Sequence, residues 1–197
     1  MYKLFFFDCS EYDTFLRNYT IREFLLALSY GADVVESYSF YDQVNMIKGY
    51  DNTNAEFHFG MFYDQDYYGR VMPKPYAAAY ATMTKELDGV QTVTETQNSS
   101  NTLRTFQAKL ANGKKVTAAY STIYRLSNDA VTGTRTPNLP WNNQWLQSET
   151  AVFKKDPKAK EIYTIDLMGN KTTYKADKRG TVSIKVTGAP VFIHGVK

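Results

Sequence analysis

The 197-residue chain sets 23 Lys and Arg against 20 Asp and Glu, and a net charge of +3 with no basic block gives no argument for nucleic acid as a partner. One cysteine (Cys9) and two histidines (His58 and His194) allow no internal disulfide, no cysteine-based zinc site and no His-rich centre, so no metal or other cofactor is expected. The 43% hydrophobic content suffices for one large domain or two small ones, and no apolar run approaches the roughly 18 residues of a membrane span, so no membrane partner is expected either.

Taken from the start, Lys3 to Cys9 (KLFFFDC) reads as a short buried parallel strand. Asp8 cuts its apolar run below the roughly 7 residues that a signal peptide needs at its core. Ser10 to Asp13 supplies polar caps, and Phe15 to Tyr30 (FLRNYTIREFLLALSY) follows with helical period. Ile21, Phe24, Leu25 and Leu28 share one face, Phe15, Tyr19 and Leu26 another, which predicts a helix covered on more than one side. Gly31 marks its end, and Ala32 to Phe40 (ADVVESYSF) reads as a buried strand directly behind it.

Gln43 to Asn54 is polar and loop-like, and Glu56 to Tyr63 (EFHFGMFY) holds a short strand or a packed loop. Pro73-Lys74-Pro75 opens a second helix over Tyr76 to Leu87, rich in alanine and closed by Gly89. From Val90 the period changes to 2. Short alternating segments stand at Leu103–Leu110, Lys115–Tyr120, Ala151–Phe153, Glu161–Leu167, Thr181–Val186 and Val191–His194. Turn signals at Asn112-Gly113, Gly169-Asn170, Arg179-Gly180 and Gly188-Ala189-Pro190 separate them, as in an antiparallel sandwich. Ser127 to Ser148, with both tryptophans, reads as a long loop. No G-x-G-x-x-G, G-K-[ST] or G-x-S-x-G stretch occurs, which removes nucleotide binding and serine acyl transfer as readings.

Several stretches fall in an order that resembles the C-terminal end of a glycoside hydrolase with a (β/α)₈ barrel and an appended β-sandwich. They are Leu25-Leu26-Ala27-Leu28-Ser29-Tyr30-Gly31-Ala32-Asp33, Tyr38-Ser39-Phe40-Tyr41-Asp42, Phe59-Gly60-Met61-Phe62, Pro73-Lys74-Pro75-Tyr76-Ala77-Ala78, Ile165-Asp166-Leu167-Met168-Gly169-Asn170 and Gly188-Ala189-Pro190-Val191-Phe192-Ile193. The fold class this implies is α/β plus all-β: the last βα units of a barrel over residues 1–89, then an antiparallel sandwich over residues 90–197. A complete barrel takes about 250 residues, so the resemblance implies a C-terminal piece that lacks six barrel strands and one catalytic carboxylate. Hydrolysis of O-glycosidic bonds by a retaining two-carboxylate mechanism is the implied chemistry, with little or no activity expected from the piece alone.

On that resemblance Glu11, just past the first strand, is the candidate nucleophile. The same residue serves as a first-turn acid that favours a helix dipole. Tyr38, Tyr41 and Asp42 end the implied eighth strand, where substrate contacts fall; plain packing and helix capping compete as readings. Glu36 reads as a paired structural charge, His58 as a packed loop residue, and Trp141 and Trp145 as a sugar platform or a lid packed on the sandwich. Asn18-Tyr19-Thr20, Asn98-Ser99-Ser100 and Asn170-Lys171-Thr172 match glycosylation acceptors. The expected partner is an oligo- or polysaccharide, with self-association through an uncovered first strand as a further expectation. An extracellular or periplasmic location follows only if the parent enzyme is secreted. A non-catalytic carbohydrate-binding or interaction module built on the sandwich is the alternative.

Overall fold

The computed structural model describes residues 9–37, 39–42, 59–63, 69–96, 101–123 and 147–197. Among these residues two helices precede eight strands, and the strands are antiparallel throughout. Helix α1 spans Cys9–Ser29 and α2 spans Pro75–Glu86. The strands are β1 (Val90–Thr96), β2 (Leu103–Leu110), β3 (Lys115–Ser121), β4 (Ser148–Lys154), β5 (Ile162–Ile165), β6 (Lys171–Tyr174), β7 (Thr181–Thr187) and β8 (Val191–His194). Six of them form one sheet in the order β1-β2-β3-β8-β5-β6, and β4 pairs with β7 in a second.

Strand β3 shows why the layers stack as they do. Six consecutive residues of it, Val116 to Ser121, are buried, so both of its faces are covered. One face belongs to the helices: Phe106, Ala108, Val116, Ala118, Tyr120 and Phe192 pack with Ile21, Phe24 and Leu25 of α1 and with Ala79 and Met83 of α2. The other belongs to the small sheet: Leu103, Ala119, Ile162 and Ile193 pack with Ala151 of β4 and with Val182, Ile184 and Val186 of β7. The period of 2 assigns these faces, since Ala118 and Ala119 point opposite ways. Alanines at those two positions let both layers come close to the same strand.

The helix period works in the same manner. Ile21 and Leu25, one turn apart, are both fully buried, which stabilises the helix–sheet contact by about 1.5–3 kcal/mol per side chain. Arg22, on the next position round, fastens α1 to the sheet. Its Nε donates to the Gly188 carbonyl at 2.9 Å and Nη2 to the Ser121 carbonyl at 3.1 Å, with the guanidinium 4.6 Å from the Tyr120 ring centroid. Burial pulls its pKa below the ordinary arginine value. At the end of α1 the Gly31 N–H reaches the Leu28 carbonyl and the Ala32 N–H the Ala27 carbonyl, the paired bonds of a Schellman stop. Gly31 holds φ of +83° there, which favours a residue without Cβ.

The turns after β5 and before β7 use one device twice. Asp166 Oδ1 accepts from the N–H groups of Met168 (2.8 Å) and Asn170 (2.9 Å). Asp177 Oδ1 accepts from those of Arg179 (2.9 Å) and Thr181 (2.8 Å). Both aspartates stand three residues before a glycine, so the carboxylate folds back on its own turn.

Two expectations are corrected. Cys9 is not the end of a strand: α1 begins there, six residues before Phe15, because the polar caps are themselves helical; residues 1–8, with the rest of the expected first strand, lie outside the described residues. Residues 32–37 of the expected strand Ala32–Phe40 form no strand, and Val34 is 75% exposed. A β-rich sequence becomes a strand only where another segment satisfies its backbone. In the described structure that partner reaches only residues 39–42. Two strands were not anticipated, β1 and β6, which are the two edges of the large sheet.

Candidate functional site

Residues 39–42 run parallel to residues 59–62. The Ser39 N–H donates to the Phe59 carbonyl (3.2 Å), Met61 to Ser39 (3.1 Å), Phe62 to Phe40 (3.0 Å) and Asp42 to Phe62 (2.9 Å). The chain then returns antiparallel, with Tyr63 N–H on the Met72 carbonyl and Lys74 N–H on the Met61 carbonyl, both 2.9 Å. This small parallel ladder leads straight into α2, whose first residue is Pro75 and whose N-cap is Lys74.

Asp42 and Lys74 hold the three segments together. Their side chains are buried (0% and 1% exposed), and Lys74 Nζ donates to Asp42 Oδ1 at 2.7 Å. The same oxygen accepts from the Gly60 N–H at 3.0 Å. A Cβ at Gly60 would lie 2.1 Å from Asp42 N and 2.3 Å from the Tyr41 carbonyl carbon, so the approach requires glycine. Lys74 Nζ also sits 5.1 Å from the Tyr63 ring centroid, a cation–π distance. Tyr76, fully buried, shares a hydrogen bond between its hydroxyl and Ser37 Oγ and so ties α2 to the segment before the ladder.

Tyr41 behaves oppositely to its neighbour Asp42. It is 41% exposed and Phe40 59% exposed, and with Phe62 the two make a ring cluster (centroids 4.8, 4.9 and 5.9 Å apart). The buried pair fixes the backbone, and the rings it positions face outward. An exposed ring with a polar edge on a rigid backbone is suited to stacking against a sugar face.

The candidate site residues are thus only partly brought together. Tyr41 and Asp42 are adjacent on the ladder, with Asp42 engaged by Lys74 and Gly60 rather than turned to solvent. Glu11 lies in the first turn of α1, the position where an acid favours the helix dipole; its side-chain surroundings lie outside the described residues, as do Tyr38, His58, Trp141 and Trp145. Glu36 is exposed. Asn18 is fully buried, so its match to a glycosylation acceptor is unusable in this fold. Asn170 is exposed, with Nδ2 on Asp166 Oδ2 at 3.0 Å, and Asn98 lies outside the described residues. The residues missed from sequence are Lys74 and Gly60. Both stand in stretches that carry the resemblance, Phe59-Gly60-Met61-Phe62 and Pro73-Lys74-Pro75, which gave neither residue a role.

No family model matches the chain, and no curated protein matches it. Among solved structures it is similar to a family 39 glycoside hydrolase from the gut symbiont Bacteroides cellulosilyticus WH2. The likeness has a TM-score of 0.64 at 17% identity and covers 94% of this chain but 31% of that one. A second match, to the catalytic domain of GH30 xylanase C from Talaromyces cellulolyticus, has a TM-score of 0.40 at 16% identity and covers 74% of this chain and 28% of that one; it is too distant to argue from. The fold is therefore that of part of a glycoside hydrolase structure, and the chain spans less than a third of the length of either.

Proposed function

We propose that the chain is the C-terminal part of a glycoside hydrolase that cleaves O-glycosidic bonds by the retaining, two-carboxylate route. Residues 1–89 belong to the last βα units of its (β/α)₈ barrel and residues 90–197 to its appended β-sandwich. The observation that carries this reading is the coverage: nearly all of this chain superposes on under a third of a family 39 glycoside hydrolase. The parallel pairing of residues 39–42 with residues 59–62 supports it, because parallel strand pairing leading into a helix is what a (β/α)₈ barrel is built from.

Within this reading Tyr41 meets the sugar ring, and Asp42 acts through Lys74 and Gly60 to hold Tyr41 in place. The family resemblance implies Tyr38 as a second contact and Glu11 as the nucleophile. The acid/base carboxylate comes from the remaining barrel strands, so the chain alone does not turn over substrate. Loss of one member of a catalytic pair costs several orders of magnitude in rate. Assay of the purified chain on a panel of aryl glycosides tests this: the expected rate is that of the buffer, and a turnover near 10 s⁻¹, about the median for enzymes, overturns the reading.

A further inference from the structure

A concavity lies where the end of α2 meets the antiparallel strands, and no residue of the ladder lines it. Its volume is about 1390 Å³, and its walls are the end of α2, the β2–β3 turn, the loop before β5 and the last three residues. Six lysines line it: Lys85, Lys114, Lys115, Lys158, Lys160 and Lys197. All six are exposed, and among the described residues none makes an ion pair. Four carboxylates share the lining, but two are engaged: Glu86 by His194 Nε2 at 2.7 Å and Glu161 by Lys171 Nζ at 2.6 Å. Asp156, whose Oδ1 accepts from the Lys158 N–H at 2.9 Å, and Asp88 keep their charges, so the six lysines outnumber the four lining carboxylates by two.

The lysines stand on ordered backbone. Asp156 N–H bonds the Gly195 carbonyl (2.9 Å) and Lys197 N–H the Lys154 carbonyl (2.8 Å), zipping the loop before β5 to the chain's last residues. Lys114 N–H bonds Asn112 Oδ1 at 2.9 Å in the opposite turn. Like charges held round one concavity focus a positive potential into it. We propose that this groove binds a stretch of acidic polysaccharide through its carboxylates.

The lining itself narrows the choice of polyanion. Among the described residues no arginine lines the groove, and arginine is the side chain whose planar fork matches phosphate bidentately. Single-stranded nucleic acid needs open aromatic faces for its bases. The groove's tyrosine, Tyr163, is already taken up, with its ring stacked 4.5 Å from His194 and the Lys171 ammonium 4.1 Å from its centroid. Point charges without platforms fit carboxylates spaced along a sugar chain. The choice of a sugar polymer rests on the glycoside hydrolase reading; the groove's charge does not.

The test is affinity electrophoresis and calorimetry of the full chain with polygalacturonate, with its fully methyl-esterified and so neutral form, and with single-stranded DNA. Binding to polygalacturonate is expected, none to the ester, and loss of binding as NaCl rises from 50 to 500 mM. The triple variant Lys114→Glu, Lys115→Glu, Lys158→Glu is expected to bind at least about tenfold more weakly. The triple variant Lys175→Glu, Lys178→Glu, Lys185→Glu makes the same change in net charge outside the groove and is expected to keep its affinity. No retardation by polygalacturonate, equal loss in both triple variants, or tighter binding of DNA each overturns the proposal. Hydrolysis of aryl glycosides is a separate readout, so either reading can fail without the other.

Discussion

The two halves of the molecule satisfy their backbones differently. The antiparallel half closes on itself: β3 is buried on both faces, its neighbours β2 and β8 pair along it, and its edges are short or polar strands. Among the described residues the parallel half has a ladder of four hydrogen bonds, one buried ion pair and a set of outward rings. Of the eight large apolar residues exposed among the described residues, five (Tyr30, Val34, Phe40, Tyr41 and Val71) fall between residues 30 and 71. Antiparallel strands can find partners through tight turns, whereas parallel strands must wait for a crossover.

The largest expected effect tests the hinge between the halves. Lys74→Met removes the cation that faces the buried Asp42 carboxylate, and it should cost about 3–5 kcal/mol in urea unfolding. Adding Asp42→Leu should return most of that, since an apolar pair can replace a buried ionic one. A single variant as stable as wild type would mean that the ladder carries no weight for α2 and the core behind it.

A smaller effect belongs to the face of the large sheet that meets the helices. Burial, outweighing the nearby Arg104 and Arg22 guanidinium groups, pushes the Tyr120 hydroxyl above the ordinary tyrosine value. The folded state thus holds this proton more tightly than the unfolded chain. The stability it contributes is complete below about pH 10 and is lost as pH rises through the raised folded value. Urea titrations above that pH should show wild type losing stability more steeply than Tyr120→Phe; parallel slopes would count against the burial.

The smallest effect is expected at the outward rings. Phe40→Ser with Tyr41→Ser should change stability by less than about 0.5 kcal/mol, because surface changes away from special features rarely do more. The variant should also associate less, as judged by light scattering after size exclusion. A loss of several kcal/mol would mean that the rings are part of this chain's own core.

Most of the self-contained half was legible because its strands carry the period of 2. Leu103–Leu110 and Val191–His194 fall at the anticipated bounds, and Asp-x-x-Gly marks its two carboxylate-held turns. Strands β1 and β6 were not. In VQTVTET only Val93 is buried, and in KTTY nothing is, because an edge strand buries too little to show a pattern. The reverse error came at residues 32–37, where local β preference met no partner. The site was less legible still. Asp42 and Lys74 stand 32 residues apart and Glu86 and His194 108 apart, and no spacing rule joins residues that only the fold makes neighbours.

Hydrogen exchange read amide by amide on the intact chain tests the contrast between the halves most directly. Amides of β2, β3 and β8, such as those of Phe106, Ala118 and Phe192, should exchange only through global unfolding. Those of Ser39, Asp42, Met61 and Phe62 should exchange orders of magnitude faster, through local opening of a ladder that has four hydrogen bonds among the described residues. Equal protection at the two sets would contradict the account, since it would make the parallel ladder as complete as the antiparallel sheet.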